Sequence, residues 1–165
     1  MTPVIKIPLI SLLAVLSGMA FPQIAWGVSN TITVHVKVES SPCEINNGEV
    51  ISVDFGDDLL TTLIDGNEYK KAISYSLDCS QGASDALKIK ISGSAAAFDN
   101  AVLQTNQQDL GIALFSNSQP LPLNEWLNFD RNSQPLLMAA PVKSPGSHLK
   151  GGAFSAVATM MIDYQ

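Results

Sequence analysis

Apolar side chains recur at every second position over much of this chain, and the clearest run is the last one. From Gly152 to Gln165, Phe154, Ala156, Ala158, Met160, Ile162 and Tyr164 fall in step behind an opening glycine. Period two is the strand period, so all six side chains project to one face of a sheet. The sequence stops one residue later, inside an apolar strand rather than in a polar tail. Such a strand is a template for pairing with another chain, so it is expected to lie in a core or to be covered.

Shorter runs of the same kind precede it. Ile32, Val34, Val36 and Val38 alternate with Thr33, His35 and Lys37. Val50 to Phe55 reads as a strand, as does the alternation of Ile73, Tyr75, Leu77 and Cys79. Leu87, Ile89 and Ile91 alternate with Lys88 and Lys90. Leu110 to Phe115 is a continuous apolar run suited to a buried strand, and Leu136 to Val142, bounded by Pro135 and Pro141, is a weaker candidate. The final strand is expected over Ala153 to Tyr164. Turn compositions separate these runs: Asn46-Asn47-Gly48, Asp65-Gly66-Asn67, Ser92-Gly93-Ser94, Asn117-Ser118-Gln119-Pro120 and Ser144-Pro145-Gly146-Ser147. Leu59 to Tyr69 has room for a brief helical turn. Short, evenly spaced strands with such turns predict an all-β sandwich or barrel.

The first 27 residues have a different character. Lys6 gives a weakly positive start, Ile7 to Ala20 is apolar but for Ser11, Ser17 and Gly18, and Ala25-Trp26-Gly27 sets small residues at a cleavage position. This is the layout of a secretory signal peptide, with the cut expected before Val28. No second run is long enough to span a bilayer. The whole chain carries a net charge of −6, and losing Lys6 makes the exported part more acidic still. Nucleic-acid binding needs a basic footprint, and anionic lipid attracts basic segments, so neither partner fits.

Two cysteines, Cys43 and Cys79, both fall in the exported part. In such a chain they most simply form one disulfide. On the chain-entropy model, a loop of about 36 residues closed in this way gains roughly 4 kcal/mol. A metal site would need further ligands, and His35 and His148 stand in no ligand-spaced motif.

Candidate chemistry is sparse. Asp54, Asp57 and Asp58 invite a paired-carboxylate or calcium reading, yet they lack the spacing of a calcium loop and read as a solvated acidic turn. The serines include no Gly-x-Ser-x-Gly elbow, and Gly151-Gly152 precedes a strand rather than a helix, unlike a phosphate loop. Trp126, with Phe129 in a Pro/Asn-rich stretch, reads as a patch fixing a loop, with glycan stacking as the alternative. No catalytic residue, metal or cofactor is expected.

Several stretches together resemble a known family. They are Cys43-Glu44-Ile45-Asn46-Asn47-Gly48, Val53-Asp54-Phe55-Gly56 and the second cysteine at the end of the Ile73 to Cys79 run. Leu110-Gly111-Ile112-Ala113-Leu114-Phe115 joins them, with the ending in which Gly152 is fourteenth from the last residue and Tyr164 penultimate. The chain is similar to the fimbrial minor subunits of the chaperone–usher pathway, near the P-pilus tip-adaptor subunits. The resemblance implies an incomplete immunoglobulin-like β-sandwich lacking its last strand, which a donor strand completes. It divides the chain into a signal peptide (1–27), a donor-strand extension (28–42) and a pilin domain (43–165).

The resemblance further implies a periplasmic chaperone, an outer-membrane usher and neighbouring pilin subunits as partners, on the route to a Gram-negative cell-surface pilus. Gly152, Phe154, Ala156, Ala158, Met160, Ile162, Tyr164 and Gln165 would form the groove strand, and Ile32, Val34, Val36 and Val38 the donor strand. The final carboxylate would be gripped by basic chaperone residues. Donor strands of the family commonly carry a glycine, and none lies between Val28 and Cys43. This departure implies a roomier acceptor pocket, or an extension beginning nearer Asn30. A single short extension implies an adaptor or shaft subunit rather than a two-domain adhesin. A receptor-binding subunit using loops near Trp126 is the alternative.

Overall fold

The protein is described by a computed structural model covering residues 42–80, 82 and 84–165. Residues 1–27, expected to form a signal peptide, and the expected donor residues Ile32, Val34, Val36 and Val38 lie outside the described residues. The strands are β1 (Glu44–Ile45), β2 (Lys71–Ala72), β3 (Leu77–Asp78), β4 (Ala86–Gly93), β5 (Ala95–Ala96), β6 (Asp99–Gln104), β7 (Leu110–Ser116), β8 (Gln119–Pro120), β9 (Leu127–Asp130), β10 (Leu137–Lys143) and β11 (Ala158–Tyr164). One sheet runs in the order β2-β10-β7-β6-β5, with β8 also on β7; a second runs β11-β4-β9; β1 and β3 form a separate pair. Every ladder is antiparallel.

The two larger sheets share one core. Leu87, Ile89 and Ile91 of β4, Phe129 of β9 and Ile162 of β11 cluster with Leu103 of β6, Ile112 and Leu114 of β7, and Leu137 and Ala139 of β10. Along β4 the pleat sorts the side chains: Leu87, Ile89 and Ile91 are buried, while Lys88 and Lys90 take the other face. In β7, Leu110, Gly111 and Ile112 are buried in succession, as expected of a strand with neighbours on both edges. Gly111 is required there, because a Cβ would collide with Val102 Cγ1 and stand 3.0 Å from the Leu103 carbonyl oxygen.

Local chemistry sets the corners. Asn117 and Ser118 both take positive φ (47° and 69°), the conformation of a tight two-residue hairpin, and join β7 to β8. Pro141 sits inside β10 without breaking it. Its carbonyl turns away from β7 and accepts the Gly66 N–H at 2.9 Å. Its nitrogen faces the same way, beyond the end of β2, so the missing N–H deletes no ladder bond.

Several expected strands are redrawn. Val50 to Phe55 forms no ladder with any described residue, although its side chains keep the alternation. The run from Ile73 to Cys79 is one extended path that changes partner. Ile73 N–H still donates to Leu137 O of β10 (2.9 Å), whereas Ser76 O accepts from Asn46 N–H beside β1 (2.9 Å), so the run holds only β3, with β2 just before it. The final ladder begins at Ala158 rather than Ala153, because its partner β4 ends at Gly93, opposite Ala158. Residues 127–130, read as part of a loop, form β9, and Leu127 and Phe129 pack toward the core. The expected helical turn is a 3₁₀ turn at Thr61–Leu63.

Cys43 and Cys79 form a disulfide, both ends buried, with their Cα atoms 4.1 Å apart. Replacing both by alanine should lower the stability by about 4 kcal/mol, read from urea unfolding of the oxidised and double-mutant chains. Tyr75 gives a pH-dependent test. Its hydroxyl donates to the Pro135 carbonyl at 2.7 Å, and burial raises its pKa from 10.0 to about 12. The folded state thus holds this proton more tightly. The stabilisation is complete below the unfolded pKa and is lost as pH rises through the folded one. Tyr75→Phe should cost about 1 kcal/mol at neutral pH. It should also remove this residue's share of the alkaline decline, measured by unfolding at a series of pH values.

Candidate assembly site

β11 is the site's main element. Its residues pair with β4 in register, from Ala158 opposite Gly93 to Tyr164 opposite Leu87. Ile162 is buried and Met160 and Tyr164 pack against the core, while Met161 on the other face is 41% exposed. β11 ends the order of its sheet, so its second edge meets no ladder partner among the described residues.

The chain before β11 is held by side chains instead of a sheet. Asn106 N–H donates to Ser155 O (3.0 Å), Ser155 N–H donates to Asn106 Oδ1 (2.8 Å), and Gln107 Nε2 donates to Ala153 O (3.0 Å). Gly152, at φ +144°, occupies backbone space unfavourable to L side chains and starts this stretch. At the far end Gln165 crosses the sheet: its backbone N–H donates to Ala86 O (3.2 Å), and Nε2 donates to Leu87 O (2.8 Å) and Phe129 O (3.1 Å).

Residues 49–56 form a second unladdered stretch. Glu49 is extended, at φ −80° and ψ 151°. Ile51, Val53 and Phe55 are half-buried and Ser52, Asp54 and Gly56 exposed, which is strand alternation without a strand neighbour among the described residues. The disulfide fixes the chain just before this segment. At the other end the Phe55 ring packs on Phe154, with centroids 5.9 Å apart. Both rings rest on the core cluster. Apolar surface remains at Val50 (90% exposed) on this segment and at Val157 (86%) ahead of β11. That surface and an unpaired backbone edge together suit strand addition, in which backbone bonds give affinity and alternate side chains fill pockets.

The expected groove residues are therefore not equivalent. Met160, Ile162 and Tyr164 are seated in the sheet, and Phe154 packs on Phe55 ahead of it. Ala156 and Ala158 are exposed, and Gly152 and Gln165 mark the ends of the stretch. The segment 49–56 was not foreseen as a neighbour of Phe154. Its alternation was visible, but pattern alone does not distinguish a paired strand from an unpaired one.

The other candidate chemistry resolves into structure. Asp54 Oδ1 accepts the Gly56 N–H at 2.8 Å, closing a turn. Among the described residues no group of three His, Cys, Asp or Glu side chains could hold a metal ion. Asp78, next to the disulfide, is held below the usual carboxylate range by the Ser80 backbone N–H and then by the Ser80 hydroxyl. Asp65 is lowered likewise by the Glu68 and Asn67 N–H groups.

An all-β, antiparallel sandwich with open sheets, whose final strand has one edge without a partner among the described residues, is an incomplete immunoglobulin-like fold of the pilin type. The chain belongs to the fimbrial protein family, whose profile matches residues 30–165. It is 35% identical over 130 residues to the fimbrial-like protein YfcR of Escherichia coli (strain K12), covering 75% of this chain and 74% of that one. It is 30% identical over 147 residues to the fimbrial adapter PapF of Escherichia coli, covering 81% and 86%.

Among solved structures, the P pilus adaptor subunit PapF is 31% identical with a TM-score of 0.55, covering 78% of this chain and 100% of that one. The P pilus rod subunit PapA is 22% identical with a TM-score of 0.57, over 82% and 100%, a likeness of fold. Of these relatives, PapF is a pilus adaptor subunit and PapA a pilus rod subunit.

The ring contact gives a direct test of this geometry. Phe55→Ala, Phe154→Ala and the double variant should show a coupling energy of about 1 kcal/mol in a double-mutant cycle on unfolding stability.

Proposed function

We propose that the protein is a structural adaptor subunit of an adhesive surface pilus, assembled by donor-strand exchange. The carrying observation is the second edge of β11, which no described strand occupies in a chain of the fimbrial family. A strand laid between β11 and residues 49–56 would satisfy backbone groups on both sides, and its alternate side chains would meet the apolar floor beside Met160, Ile162 and Phe154.

In this reading a periplasmic chaperone first supplies that strand. At the outer-membrane usher, the extension of a neighbouring subunit replaces it. Residues 28–42 act in turn as this subunit's donor: Ile32, Val34, Val36 and Val38 enter the next groove. The subunit passes through the periplasm to the surface of a Gram-negative cell and supports adhesion by joining other subunits, with no catalytic step. Relatives that are pilus adaptor and rod subunits support the reading.

Co-expression with a pilus chaperone tests it. The exported chain alone should aggregate or be degraded, and with the chaperone it should purify as a soluble equimolar complex. Val36→Asp should leave that complex intact yet stop transfer of this extension into the next subunit, measured by mixing chaperone–subunit complexes and following the ladder of subunit products. Stable monomeric export without any chaperone would sink the proposal.

A further inference from the structure

The face of the β11–β4–β9 sheet opposite the core carries an organised cluster that strand addition does not use. Register places Met161 beside Lys90, and Asp163, Lys88 and Asn128 in one row. Trp126, immediately before β9, lies alongside: the Lys90 ammonium is 4.5 Å and that of Lys88 5.2 Å from its ring centroid. Lys88 Nζ is also 3.4 Å from Asp163 Oδ2. Among the described residues Lys90 is matched by the indole alone.

The cluster rests on fixed backbone. Asn124 N–H donates to Ile91 O (2.9 Å), Asn124 Oδ1 accepts from Gly93 N–H (3.0 Å) and the Ser92 hydroxyl (2.9 Å), and its Nδ2 donates to Gly93 O (3.1 Å). The approach to Trp126 is thus clamped to the end of β4. The indole still keeps 39% of its surface exposed. A half-open ring with two ammonium groups beside it is notable in a chain of net charge −6.

We infer that this face is a binding site for an acidic saccharide, a pyranose bearing a carboxylate. The surface is a shallow sheet face, which suits a flat ligand. The part of the indole that the overlying lysines leave exposed offers an apolar surface for the C–H face of a sugar ring. Lys90 offers an ammonium for the carboxylate, favourable against the acidic background of the chain. Asn128 and Asp163 flank Lys88 with acceptors and a donor for hydroxyl groups. Asp163 and Met161 belong to β11, but the site is centred on β4 and Trp126, on the sheet face turned from the core, so the subunit could hold a sugar while built into a fibre.

The test uses the exported chain, with its chaperone if solubility requires it, and ligand-observed NMR. The probes are the methyl glycosides of N-acetylneuraminic acid, glucuronic acid and glucose. At least one acid should bind about tenfold more tightly than the glucoside at low salt, with the preference shrinking as sodium chloride is raised. A response to the neuraminic glycoside alone identifies a sialylated source, and a response to the glucuronide a uronic-acid polysaccharide. Trp126→Ala should abolish binding. Lys90→Gln, a milder change, should bring the acid to the level of the glucoside. Absence of saturable binding by either acid, glucoside binding as tight as theirs, or unchanged affinity in both variants overturns the inference.

Discussion

β11 leans on one neighbour. Its seven residues bond along one edge to β4, and the other edge meets no strand among the described residues. Backbone amides and carbonyls carry a large penalty when buried without partners, so an edge of this kind either faces water or waits for another backbone. Here the alternating side chains make lasting hydration costly, because Met160, Ile162 and Tyr164 are committed to the core on one side of the same strand. Much of the rest of the architecture holds that edge in place: the Asn106 and Gln107 clamps ahead of it, Gln165 beyond it, and the Phe55–Phe154 contact alongside.

Completeness is unevenly distributed through the molecule. The larger sheet is filled, with β7 flanked on both sides and Leu137, Ala140 and Pro141 fully sequestered. The smaller sheet has three strands and carries the unpaired edge. Stability thus resides in one layer and availability in the other. Under the proposed assembly such a division is useful, since an incoming strand need not disturb the packed layer.

Legibility followed the same division. β4, β7 and β10 could be located from the sequence, because their alternation or continuous apolarity coincides with ladders on both edges or with deep burial. β9 was hidden by its brevity and by Pro122, Asn124 and Asn128 nearby, although Leu127 and Phe129 keep period two. β6 was hidden by its polar opening, Asp99-Asn100. Val50 to Phe55 misled in the opposite direction: its pattern is that of a strand, and the pattern is silent on whether a neighbour exists. The change of partner between Ile73 and Ser76 was equally invisible, since pairing is a property of two segments. For the site, the family resemblance singled out the final stretch, but the Phe55–Phe154 contact and the two lysines over Trp126 emerged only from the three-dimensional arrangement.

The disulfide acquires a further meaning when the subunit is regarded as a mechanical link. Residues 44–78 include the least paired part of the chain, with residues 49–56 outside any ladder and the 71–78 run changing partners midway. Tension entering from the residues before Cys43 meets the Cys43–Cys79 bond at once and passes to the chain leading into β4. The covalent bridge shunts force past the softest region, so tension entering before Cys43 bypasses residues 49–56 and their contact with Phe154.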